Sequence, residues 1–151
     1  FVVTDDGGGI DLLVDTDGKV GVNCATPSAQ VDIRGDAGTG TGSAGVLRLS
    51  TAELTVADSD QLGRIEFIAP LEASGTDAIL VGASIYAEAD DTFAADNNAT
   101  DLVFATGASE AAAEKMRLTS GGDLETTTKG KVYSKGNCVQ SSFHSSLIFG
   151  Y

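Results

Sequence analysis

The sequence predicts an all-β fold of short antiparallel strands and hairpins, arranged as a sandwich or prism and completed by further copies of the chain. Three observations carry this expectation. Apolar and polar residues alternate with period two in many short runs, and helical periodicity is nearly absent. Gly is abundant (19) while Pro is rare (2), which suits tight turns between strands rather than a proline-rich linker. Large apolar side chains are sparse. There is no Trp, one Met, six Phe and three Tyr, and much of the 42% hydrophobic content is Ala. Such a core is thin for a compact monomer of 151 residues, and oligomerisation is one source of the missing support.

Taken in order, Ile10-Asp11-Leu12-Leu13-Val14 leads through Asp15-Thr16-Asp17-Gly18 into Lys19-Val20-Gly21-Val22. This reads as a hairpin in which Asp17-Gly18 supplies the positive-φ positions of a tight turn. Alternation returns in Val31-Asp32-Ile33-Arg34, Val46-Leu47-Arg48-Leu49, Ile65-Glu66-Phe67, Ala83-Ser84-Ile85-Tyr86-Ala87, Leu102-Val103-Phe104 and Met116-Arg117-Leu118. The best helix-like run, residues 108–115, is short. The expected core-facing set is Val31, Ile33, Leu47, Leu49, Ile65, Phe67, Ile85, Leu102, Phe104, Met116 and Leu118.

Residues 35–45 are rich in Gly, Thr, Ala and Ser and read as a flexible connection. Residues 89–100 are acidic and polar, a surface excursion between two strands, and Gly121-Gly122 marks another turn. The expected organisation is an N-terminal β-hairpin module (1–35), a central β-rich module (36–125) and a C-terminal linker and strand segment (126–151). One stretch echoes another at a constant offset of 104 residues: Leu12 falls on Met116, Gly18 on Gly122 and Val20 on Leu124. Both copies read apolar-x-apolar-x-hydroxyl-x-Gly-x-apolar, the mark of a repeating β unit.

The formal net charge is −13 and the isoelectric point is near 4.1. Phosphates would be repelled and few Lys or Arg are present to release counterions, so nucleic acid is not an expected partner. Insertion into a membrane is not expected either, because no apolar stretch is long enough to span one. No signal peptide is visible; the start at Phe1 rather than Met is what a piece of a longer or processed polypeptide would show. Cys24 and Cys138 form no CxxC and have no histidine ligands nearby, so free, half-buried thiols are expected rather than a zinc site.

Chemistry-bearing patterns are weak. His144, the only histidine, sits among Ser141, Ser142, Ser145 and Ser146, but no G-x-S-x-G elbow is present and serines adjacent along a strand alternate faces. Asp15-x-Asp17-Gly18 opens like a calcium loop and lacks the later ligands. Asp90, Asp91, Asp96, Asn97, Asn98 and Asp101 offer oxygens, yet a solvated acidic loop is the plainer reading. Glu66 with Glu72 or Glu88 would be a glycosidase pair without the Trp platforms that sugar subsites favour. The expectation is therefore no enzyme, no catalytic residue, no cofactor and no metal site. Surface recognition would fall to Phe93, Asp96, Asn97 and Asn98 in the acidic loop, or to a tip made of Phe143, His144 and Tyr151.

Asp17-Gly18-Lys19-Val20-Gly21-Val22, followed by Thr26-Pro27-Ser28-Ala29-Gln30-Val31-Asp32-Ile33-Arg34-Gly35, resembles a repeat of bacteriophage tail-fibre and other virion proteins, roughly G-N-V-G-I-G-T-x-x-P-x-x-K-L-D-V-x-G. The chain departs from it at Asn23-Cys24, where the repeat usually has Gly-Thr, and at Gln30, where it usually has Lys. Leu62-Gly63-Arg64-Ile65-Glu66-Phe67, Ala83-Ser84-Ile85, Asp101 to Thr106 and Glu114 to Leu118 follow in the order of such fibre modules. Gln140 to Leu147 resembles a segment of marine-phage fibres. The resemblance implies a homotrimeric, β-rich shaft or knob on a virion, extracellular, with other virion proteins as partners. Its alternatives are a fibre tip that attaches to a host-surface glycan receptor, and a non-viral extracellular filament protein.

Overall fold

The structure is a computed structural model that describes residues 1–4, 10–127, 131–134 and 137–141. Apart from two short 3-10 turns, its regular elements are strands, as the alternation and turn chemistry predict. The chain divides into two units, Phe1–Arg48 and Leu49–Tyr151.

In the first unit, β1 (Val2–Thr4), β2 (Ile10–Val14), β3 (Val20–Val22) and β4 (Val31–Ile33) form one sheet in chain order. The β1/β2 and β2/β3 pairs are antiparallel, and β4 runs parallel to β3. The β2–β3 turn differs from the expected one. Gly18 alone takes positive φ (78°), with its N–H on the Asp15 carbonyl. The Asp15 carboxylate supplies the rest by accepting the Asp17 and Lys19 N–H groups, both at 2.9 Å. This is a type I turn closed by a glycine bulge, which needs one left-handed residue rather than two.

A parallel neighbour reached in only eight residues requires the chain to double back across the sheet, where a crossover is usually longer. Gly21 makes the return passable: a Cβ there would lie 2.2 Å from the Cys24 carbonyl oxygen. Asn23, where the virion repeat usually has Gly, opens the return at φ 51°, a region that Asn tolerates. Its side-chain amide then donates to the Arg34 carbonyl and the Asp36 carboxylate. Cys24 is buried with a free thiol beneath this return. Gly21→Ala is therefore expected to cost about 1–3 kcal/mol by overpacking, read as a lower urea midpoint; an unchanged midpoint would remove this account of the crossover.

In the second unit, β5 (Gln61–Ile68), β6 (Val81–Ala89), β7 (Thr100–Thr106), β8 (Ala113–Leu118) and β9 (Leu124–Thr126) form an antiparallel meander in chain order. A separate antiparallel pair, β10 (Lys131–Ser134) and β11 (Asn137–Ser141), follows. The run 108–115, the best helical candidate, ends in β8: its Ala and Glu residues have helical propensity, but cross-strand pairing with β7 decides the conformation.

The sequence echo holds in strand register and in most of the turn hydrogen bonds. Val14 pairs with Val20 and Leu12 with Val22, as Leu118 pairs with Leu124 and Met116 with Thr126. The Gly18 N–H reaches the Asp15 carbonyl as Gly122 reaches Thr119, and Asn23 reaches Asp11 as Thr127 reaches Lys115. Gly122 has φ 91°, and the Thr119 hydroxyl accepts the Asp123 N–H where the Asp15 carboxylate accepts that of Lys19. The two hairpins are one local design used twice.

Two expectations need correction. Val46-Leu47-Arg48-Leu49 forms no strand, because an alternating segment becomes one only where another strand pairs with it. None of the expected core residues is buried: Val31, Leu47, Leu49, Ile65, Phe67, Leu102 and Leu118 are exposed, and Ile33, Ile85, Phe104 and Met116 are half-buried. The buried residues of the second unit are smaller: Ser84, Asp101, Val103 and Ala105 lie on the other side of the sheet, and Ala89 lies on the same side at the end of β6.

Candidate functional site

Partners across an antiparallel ladder share a face, so the register sorts the five-stranded sheet into rows. On one face run Gly63, Ala87, Leu102, Leu118 and Leu124, then Ile65, Ile85, Phe104, Met116 and Thr126, then Phe67, Ala83, Thr106 and Ala113. No residue in these rows carries a charge. On the opposite face run Arg64, Tyr86, Val103, Arg117 and Glu125, flanked by Glu88 with Asp101 and by Glu66, Ser84, Ala105 and Glu114.

The charged face closes upon itself. Arg117 donates to Glu114, to Asp101 and to Glu88, the last at 3.2 Å. Asp101, 2% exposed, also accepts the Ser120 N–H at 2.8 Å. The Arg64 guanidinium lies 5.3 Å from the centre of the Tyr86 ring and pairs with Glu66 at 2.7 Å. Val103 sits in the middle of the Arg64–Tyr86–Arg117 row and is fully buried. Long side chains whose stems lie flat can cover small neighbours, so this face needs no second layer.

The apolar face is covered only at one end, where Leu49 lies against Gly63 and Ala89 is buried. Leu102, on the central strand, is 40% exposed, Phe67 54% and Leu124 60%. Five strands about 4.8 Å apart and about six residues long give a face of roughly 500 Å². That is at the upper end of the apolar patches that monomers leave open, and a pair of such faces reaches about 1,000 Å², the lower bound for a specific interface. The face is chemically suited to burial against another apolar layer, and its named rows hold no ionisable side chain.

The acidic loop 90–99 is organised by its own side chains. Asn97 donates to the Asp91 carboxylate and the Thr92 carbonyl, both at 3.1 Å, and accepts the Ala99 N–H. Ala94 and Asn97 form a bridge, and the Phe93 N–H reaches the Val56 carbonyl. Asn97 and Phe93 are half-buried, whereas Asp96 and Asn98 are exposed. Asp90 accepts the Ser120 hydroxyl. Among the described residues no group of three His, Cys, Asp or Glu is placed to hold a metal ion. Phe143, His144 and Tyr151 lie outside the described residues. The ionic network around Arg117 is a feature that sequence reading missed; the signal was the Arg117–Val103–Tyr86 register, visible only once the strands are paired.

Four carboxyls, Asp32, Glu72, Glu110 and Glu114, are held below the ordinary carboxylate range, and two of them, Asp32 and Glu114, are ion-paired. Hydrogen bonds from Arg34 and from the Ser28 N–H depress Asp32, and the hydrogen bond from Arg117 depresses Glu114 against an opposing effect of burial. A depressed folded-state value means that the ionised form is preferred in the fold. Its stabilisation is present above the unfolded-state value, about 4, and is lost as pH falls through the lower folded-state value. The melting temperature is thus expected to fall steadily on acidification from pH 5 to pH 3, and a flat profile would contradict the two ion pairs.

No protein-family model and no curated protein matches this chain.

Proposed function

We propose that the chain is a structural module of a bacteriophage-type virion fibre or appendage, built as a homotrimer and without catalytic activity of its own. The observation that carries this reading is the contrast between the two faces of the five-stranded sheet. The Arg117 carboxylate network of the ionic face is paired within one chain, while most of an uncharged face across all five strands is left open.

Three such sheets turned inward make a prism whose core is shared among copies. A net charge of −13 then faces solvent, which keeps an exposed assembly soluble. The resemblance of residues 17–35 to virion-fibre repeats supports the location, and the duplicated hairpin supports a repeating β architecture. In gradient-purified virions of a phage that encodes the chain, antibody against it is expected to mark an appendage. Virions free of the chain would overturn the reading.

A further inference from the structure

The duplicated hairpin shows one difference between its copies. In the first unit the outer edge of β3 is occupied by β4: Val20 pairs with Val31, Gly21 with Asp32 and Val22 with Ile33. The Val20 N–H donates to the Gln30 carbonyl at 2.8 Å, and the Arg34 N–H to the Val22 carbonyl at 3.0 Å. In the second unit β9 stands where β3 stands, and among the described residues its outer edge has no strand. An open edge presents N–H and C=O groups in register for one more strand.

The chain also holds a segment suited to fill it. Among the described residues, no backbone N–H from Gly45 to Ser50 has an acceptor. Val46, Leu47 and Leu49 are 67%, 65% and 44% exposed. Leu47-Arg48-Leu49 has the apolar–charged–apolar pattern of Val31-Asp32-Ile33.

We infer that Leu47–Leu49 of one copy adds as a parallel strand to β9 of a neighbouring copy. The β3/β4 register then sets Leu47 opposite Leu124, Arg48 opposite Glu125 and Leu49 opposite Thr126. The Leu124 N–H meets the Val46 carbonyl, and the Ser50 N–H meets the Thr126 carbonyl. Each side of this pairing is complementary. Leu47 and Leu49 extend the apolar face, while Arg48 meets a carboxylate on the ionic face, in a chain with only nine Lys and Arg against 22 Asp and Glu.

The contact is heterologous rather than a two-fold pair, and a three-fold rotation between copies closes it into the ring that the homotrimer reading requires. Within its own copy Leu49 lies against β5, where a Cβ on Gly63 would be 2.8 Å from the Leu49 Cβ. The segment therefore links the β5 edge of one sheet to the β9 edge of the next. This inference rests on the homotrimer reading and adds its strand pairing.

The test co-expresses two differently tagged full-length chains, one carrying Leu47→Cys and the other Leu124→Cys, under mild oxidation. A disulfide-linked heterodimer is expected, absent when either chain is paired with wild type. In parallel, Arg48→Glu and Glu125→Arg are each expected to weaken assembly about tenfold, and the double variant to recover most of that loss. A native particle of three copies with no cross-link and no charge-swap recovery would overturn this pairing and leave the trimer standing. A monomeric wild type would remove both.

Discussion

Arg117→Met is expected to destabilise the second unit by about 3 kcal/mol, more than a typical surface substitution. The cause is the carboxylate left behind. Asp101 is 2% exposed, and without Arg117 it keeps only the Ser120 N–H among the donors described. Glu88 and Glu114 lose the same cation and then repel Asp101 across one small area of sheet. Met preserves much of the stem that covers Val103, so the loss reports charge rather than packing. Adding Asp101→Asn removes the buried charge and is expected to recover part of the loss. Urea titration of the two variants measures both effects; equal midpoints for wild type and Arg117→Met would show that the network contributes no stability.

Leu102→Glu combined with Phe67→Glu is expected to act on assembly and to leave the individual chain folded. Both side chains lie on the uncharged face and are about half exposed in one copy, so the isolated sheet tolerates a charge there. In a prism the same positions are buried among copies of themselves. Like charges gathered near a three-fold axis in an apolar layer cost on the order of 4 kcal/mol, about a thousandfold in the dissociation constant. Circular dichroism is expected to retain the β signature while the native particle falls to one copy. A variant that stays assembled would place the subunit contact elsewhere on the molecule.

Strand content, the hairpin at 15–19, its echo at 119–123 and the excursion at 89–100 were all legible in the sequence. Each depends on neighbours close along the chain, where turn residues and alternation act directly. The same alternation chose the apolar face correctly: Ile65, Phe67, Ile85, Leu102, Phe104, Met116 and Leu118 share one side of the sheet. It could not say that this side stays open within one copy, because burial depends on what lies above a face rather than on the pattern within it.

Three features escaped for related reasons. Val46 to Leu49 reads as a strand by pattern and remains unpaired, since pairing is a property of two segments. The Arg117 network joins residues from three strands, and nothing in the spacing of Glu88, Asp101, Glu114 and Arg117 reveals their register. The parallel β3/β4 pair depends on Gly21 and Asn23, whose roles follow from the chain doubling back over the sheet.

The central claim is that the open apolar face is an interface between copies, and the mass of the native particle tests it most directly. Sedimentation equilibrium of the purified chain at micromolar concentration is expected to give three times 15.3 kDa. A folded particle of 15.3 kDa would contradict the account, because a single copy would then be stable with this face in water.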